Sequence, residues 1–113
     1  MILDFAQMDE QIDEHFKGGE KAFASKRYAD DLTRILRARL GPGASVGLHR
    51  HEGDVEAYYI LQGKGRYQND DESFDVTAGD LTLVDNLHCH GIENTGEEPL
   101  KLIGLILFTA PEK

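Results

Sequence analysis

The chain has 113 residues, enough for one domain with one core, and its 40% apolar content excludes an intrinsically disordered chain. Twelve basic against 21 acidic residues leave a net charge of −9, which argues against nucleic acid or an anionic membrane surface as the main partner. The single cysteine, Cys89, excludes an internal disulfide and a thiolate metal cluster and fits a reducing compartment. Met1–Phe5 is a short apolar start cut by Asp4, with no basic segment before it and no run near about 18 apolar residues. The expectation is a soluble cytoplasmic protein.

In chain order, Met8, Ile12 and His15/Phe16 recur at helical spacing among acidic residues, so a short amphipathic turn or helix is expected before Gly18-Gly19. Glu20 to Tyr28 is a weak strand candidate, and Ala29-Asp30-Asp31 a turn. Thr33 to Leu40 alternates clearly: Leu36, Ala38 and Leu40 share one face, Ile35, Arg37 and Arg39 the other. Arg37 and Arg39 are therefore expected to face out. Glu56 to Leu61 is rich in aromatic and aliphatic residues. Arg66–Gln68 and Ser73–Thr77 flank Asn69 to Glu72, which reads as a hairpin turn. Leu81 to Val84 is a further strand. Ile92 to Asn94 leads into a polar loop, and Leu100 to Phe108 reads as a strand covered on both faces. Short strands with frequent turn signals point to an all-β sandwich or barrel. The acidic groups Asp70 to Glu72 and Glu97-Glu98 read as solvated turn residues.

One stretch carries chemistry. His49, His51 and Glu56 fall within eight residues, between Gly43 and Gly63. On a strand, residues two apart point to the same face roughly 6–7 Å apart, so both imidazoles can converge on one ion. Glu56 returns on the next strand and begins an alternation with Tyr58 and Ile60. Two neutral imidazoles and a carboxylate suit a divalent metal such as Fe, Mn, Zn, Co or Ni. His90 is the distant fourth ligand.

These residues resemble the cupin superfamily. The spacing Gly, five residues, His-x-His, four residues, Glu, six residues, Gly is matched by Gly43, His49, His51, Glu56 and Gly63. The second cupin motif is matched in spacing by Gly79, His90 and Asn94, with Asp85 and Leu87 where proline and glycine are usual. Fifteen residues separate the two motifs, as in small microbial cupins. The resemblance implies a double-stranded β-helix jelly roll over residues 31–113. It also implies one divalent metal held by His49, His51, Glu56 and His90, with open positions for a ligand. Cupins commonly form homodimers, so residues 1–30 are read as an extension that two protomers could exchange.

Around this site, Tyr58 is expected to face the barrel interior. His88 lies two residues before His90, and in an extended segment it would share that face. His88 and Tyr58 are the candidate catalytic proton carriers. His88 is otherwise a partner that orients a ligand, a rival ligand or an exposed loop residue. Cys89 reads as an inert packed thiol, His15 as a surface residue, and Asn94 as an anchor of the strand end. The leading functional expectation is a metal-dependent enzyme acting on a sugar acid, a keto or hydroxy acid or an aromatic diol. The reaction would be isomerisation, elimination or dioxygenation. The alternative is a non-catalytic small-ligand-binding or sensor module.

Overall fold

A computed structural model describes residues 1–109. Ten strands form two antiparallel sheets: β1 (Gln11–Glu14), β2 (Ala22–Ala29), β3 (Thr33–Leu40), β4 (Ser45–Arg50), β5 (Asp54–Gln62), β6 (Lys64–Asn69), β7 (Glu72–Thr77), β8 (Leu81–Val84), β9 (Cys89–Asn94) and β10 (Leu100–Phe108). The larger sheet runs β1-β2-β3-β10-β5-β8 and the smaller β4-β9-β6-β7. This is the double-stranded β-helix jelly roll that the motifs imply.

Alternation decides which side chains meet. On the inner face of the larger sheet, Ala38, Leu102 and Ile60 stand side by side across β3, β10 and β5. The next rung toward the open end is Leu36, Gly104 and Tyr58; the one after is Arg34, Ile106 and Glu56. Gly104 leaves room for its neighbour: a Cβ there would meet Leu36 Cγ at 3.0 Å. Leu40, Ile60, Leu100 and Leu102 are fully buried. Each such side chain contributes about 1.5–3 kcal/mol on leaving water.

The N-terminal region corrects one expectation. Residues 8–15 form no helix; Gln11–Glu14 is a strand on the edge of β2, between 3-10 turns at Phe5–Gln7 and Phe16–Gly18. An isolated short segment cannot meet the cost of helix nucleation. The free edge of β2 instead offers a ladder, and Asp13 is drawn to Arg27 at 2.7 Å. The weak strand at 20–28 is real, shifted to Ala22–Ala29. It belongs to the core, since Phe23 and Ser25 are buried. Both β1 and β2 pair within this chain's own larger sheet.

A second correction concerns β10. Its inward residues Leu100, Leu102 and Gly104 are buried, but the alternate residues Lys101, Ile103 and Leu105 are only half-buried, and Leu107 and Phe108 at its end are exposed. Arg37 and Arg39 face out as expected, Arg39 pairing with Glu10 at 2.7 Å.

Residues 16–19 are clamped onto β4 by two glycines. A Cβ on Gly47 would meet Lys17 O at 2.1 Å, and one on Gly19 would meet Ser45 O at 2.0 Å. Reciprocal bonds between Glu20 and Ser45, at 2.8 and 2.9 Å, complete the clamp. Backbone cannot yield to a methyl group as a side-chain tip can. Gly47→Ala should therefore cost about 1–3 kcal/mol by overpacking and lower the melting temperature by roughly 10 °C. A thermal melt showing a shift under about 2 °C would mean that the contact is loose.

Candidate metal centre

The four expected ligands come from both sheets. His49 on β4 is paired in register with His90 on β9. A register shift between Val46 and His49 marks a bulge just before the ligand, a device that re-aims a strand's side chains. His51 follows the end of β4. It is held by the chain before β9: His51 N–H donates to His88 O at 3.0 Å and Leu87 N–H donates to His51 O at 2.7 Å. Glu56 reaches in from β5 of the opposite sheet.

The ligand atoms converge. All four lie within 4.8 Å of one another. His51 Nε2 and His90 Nε2 are 3.0 Å apart, and both approach Glu56 Oε1, at 3.3 and 3.0 Å. Donors around one transition ion at bonds of roughly 2.1 Å sit at about this spacing.

What faces the other ring nitrogens decides the chemistry. His49 Nδ1 is 2.7 Å from Gly47 O, His51 Nδ1 is 2.7 Å from Asp54 Oδ1, and His90 Nδ1 is 2.9 Å from the Tyr67 hydroxyl. Gly47 and Asp54 offer only acceptors, and the Tyr67 oxygen can accept as well. The Nδ1 atoms of His49 and His51 therefore carry the proton, and Tyr67 can hold His90 in the same tautomer; in that neutral form each Nε2 presents a lone pair to the cluster. Lone pairs facing at 3.0 Å repel unless a proton or a cation lies between them. The residues fit a divalent ion.

The electrostatics agree. Burial pushes the Glu56 carboxyl up, but hydrogen bonds from Nε2 protons on His51 and His90, protons that an ion would displace, outweigh it and hold the pKa down at about 2. Burial lowers His49 and His90, which favours the neutral, coordinating form. His51 is raised, first by its hydrogen bond to Glu56. Burial raises Tyr67 to about 12, so its phenol stays neutral.

The two expected proton carriers part company. Tyr58 lines the cavity above the ligands, buried, with its ring stacked on His90 at 4.9 Å. Burial, with Glu56 beside it, lifts its pKa well above the usual value. His88 is not brought to the site. Leu87 turns left-handed (φ 73), β9 begins only at Cys89, and His88 lies exposed with Nδ1 2.6 Å from Asp70 Oδ2. Asp70 also accepts from Cys89 N–H at 2.9 Å, so one turn carboxylate caps the strand and captures the histidine. Asn94 anchors the strand end as expected, donating to Leu40 O and Glu98 O. His15 is exposed, its Nδ1 bonded to Gly19 O.

The cluster opens into a cavity of about 470 Å³. Its wall includes Phe16, Phe23, Leu36 and Ile106, with Arg27 and Arg34 among the polar groups. Sequence reasoning missed Asp54, Tyr67 and Arg34. Only Asp54 left a local signal, an acid three residues after His51.

The cupin domain profile matches residues 36–107. The chain belongs to the cupin family. An oxalate-binding protein of Thermotoga maritima is 44% identical to this cupin over 85 residues, covering 74% of this chain and 70% of that protein. A crystal structure described as a predicted oxalate decarboxylase from Thermotoga maritima superposes with a TM-score of 0.91 at 31% identity, covering 96% of this chain and 99% of that one. A sugar phosphate isomerase of the cupin superfamily from Silicibacter pomeroyi gives a TM-score of 0.79 at 18% identity, covering 96% and 76% of the two chains, a likeness of fold alone.

A metal held by these residues would bind with a pH dependence of definite direction. Histidine ligands bind only when the coordinating nitrogen is free of its proton. The His51 proton, held above the usual 6.5, is the last to leave as pH rises. Metal affinity should climb with pH through this range, level off above it, and fall on acidification, while Glu56 stays ionised throughout. Titration calorimetry with Mn²⁺ between about pH 5.5 and 8.5 checks this; a flat profile contradicts it.

Proposed function

We propose that this cupin holds one divalent transition ion, of the Mn, Fe, Co, Ni or Zn type, on His49, His51, Glu56 and His90, and uses it to capture a small chelating carboxylate of the oxalate class. The observation that carries this reading is the convergence of His49, His51, Glu56 and His90, whose ligand atoms lie within 4.8 Å of one another while a partner orients each imidazole from its far side. Four protein ligands leave positions on a six-coordinate ion, and hard oxygen donors such as carboxylates suit them. The name of the Thermotoga relative, an oxalate-binding protein, supports the ligand class.

Capture without turnover is the form of the proposal that the surroundings favour. A metal-dependent isomerase, lyase or dioxygenase acting on a keto or hydroxy acid would also use such an ion as a Lewis acid or to engage O₂. It would further need a placed proton carrier. His88 lies outside the cavity wall, and burial keeps the Tyr58 phenol protonated. Tyr58 can donate a hydrogen bond but serves poorly as a base near neutral pH.

The test is elemental analysis of protein purified without a metal-binding tag, followed by thermal melts with oxalate. About one metal ion per chain is expected, with oxalate raising the melting temperature of loaded protein only. At a hundred times its Kd, a ligand adds about 2.7 kcal/mol of stability. His49→Ala should remove both metal and oxalate response. A protein that takes up no metal on reconstitution contradicts the reading. Consumption of oxalate by loaded protein would favour the enzyme.

We also propose a homodimer. The outer face of the larger sheet is apolar where β5 and β8 meet: Tyr59 opposes Leu81 and Ala57 opposes Leu83, with Leu81 67% and Leu83 59% exposed. Exposed apolar surface at a sheet edge is a liability that a second copy relieves. Light scattering should give twice the chain mass for wild type and the monomer mass for Leu83→Asp, with metal content unchanged. A monomeric wild type overturns this.

A further inference from the structure

We infer that Arg34 is the residue that selects the ligand, its guanidinium gripping the carboxylate edge that faces away from the metal ligands. The inference rests on the chelation reading above and adds the requirement for a second anionic edge.

Arg34 is placed by the ladder. It stands opposite Ile106 on β10, which stands opposite Glu56 on β5, so Arg34 and a metal ligand share one rung on one face. Two strand spacings separate them, about 10 Å between Cα atoms. Both line the same cavity. A chelate held at the cluster and the Arg34 side chain would share that space.

The guanidinium is also held in place. Nη1 donates to Asp30 O and to Thr33 O, the latter at 2.9 Å, and the plane lies 4.8 Å from the Phe108 ring centroid. Phe108 opposes Asp54, one rung nearer the mouth than Glu56. Among the described residues, nothing accepts from Nε or Nη2, and no carboxylate pairs with Arg34. Other cations on the wall are treated differently. Arg27 is tied to Asp13 at 2.7 Å and Arg50 to Glu52 at 3.0 Å, while Lys17 is exposed. In a chain with 21 acids and 12 bases, a half-buried arginine left without a carboxylate has donors to spare for an incoming one.

The chemistry fits one ligand class. A small dicarboxylate that gives one oxygen of each carboxylate to an ion presents its other two oxygens on the opposite edge. A guanidinium fork matches that edge with two parallel hydrogen bonds. A monoanionic chelator such as glycolate presents no such edge. The cavity of about 470 Å³ admits acids longer than oxalate, so malonate is a second member to try.

Calorimetry on Mn²⁺-loaded wild type, Arg34→Gln and Arg34→Lys, with oxalate, malonate and glycolate, decides the matter. Arg34→Gln should weaken oxalate or malonate by about 10- to 100-fold, the worth of hydrogen bonds to a charged group. Glycolate and Mn²⁺ affinities should stay within about twofold, a result that a merely structural role in the 30–33 turn does not produce. Arg34→Lys keeps the charge without the fork and should fall between. Arg34→Gln binding the diacids like wild type, or losing diacids and glycolate alike, overturns the assignment. A loaded wild type that binds none of the three acids overturns the chelation reading itself.

Discussion

The hydrogen bond on the far side of each imidazole is the constraint on which the site depends. Gly47 O, Asp54 and the Tyr67 hydroxyl hold the three Nδ1 atoms, and each comes from a different part of the barrel. Together they fix ring orientation and tautomer before any ion arrives. The arrangement has a cost in its own right. Glu56 is ionised while buried, and three nitrogen lone pairs are turned toward one another. A buried charge is tolerated only when paired, and a cation here would satisfy all four groups together. The barrel around them is the scaffold that keeps this arrangement from relaxing.

The division of labour between the two sheets follows from their neighbours. His49 and His90 sit on paired strands of the smaller sheet, where the ladder fixes their separation. The larger sheet contributes Glu56 and most of the cavity wall: Leu36, Ile106, Tyr58, Arg27 and Arg34. The candidate metal ligands on β4 and β9 are thus set by backbone register, while the larger sheet supplies most of the side chains that line the cavity. Substitution on β2, β3 or β10 can reshape the cavity without moving the two paired histidines.

That division also explains what was legible beforehand. His49, His51, Glu56 and His90 lie in short segments whose spacing encodes convergence, because the strand period of two places alternate residues on one face. The alternation of Leu36, Ala38 and Leu40 was equally plain. Arg34, only two residues earlier on the same face, was not. Its meaning appears only when β10 is placed between β3 and β5, and that long-range pairing leaves no local trace. Tyr67 was hidden for the same reason, since its bond to His90 spans two strands. His88 hung on a condition. It shares the face of His90 only if the segment is extended, and the left-handed backbone at Leu87 breaks it, which leaves the exposed loop residue of the other reading. The helical spacing near residues 8–16 misled because the partner that decides their state, the β2 edge, lies elsewhere in the chain.

The glycine clamp bears on the cavity as much as on stability. Gly19 and Gly47 let residues 16–19 lie directly against β4, two residues before His49. The same contact sets Phe16 against Phe23, with ring centroids 4.8 Å apart, and both rings line the cavity. Gly47 therefore has two tasks that no other residue can combine. Its missing side chain admits the N-terminal segment that walls the cavity, and its carbonyl oxygen orients a metal ligand. The carbonyl is backbone and would survive replacement, but the close approach would not. A side chain at this position would push back the wall and shift the acceptor of His49 together. Residues 16–19 are thereby coupled to His49, a candidate metal ligand, through a single peptide unit.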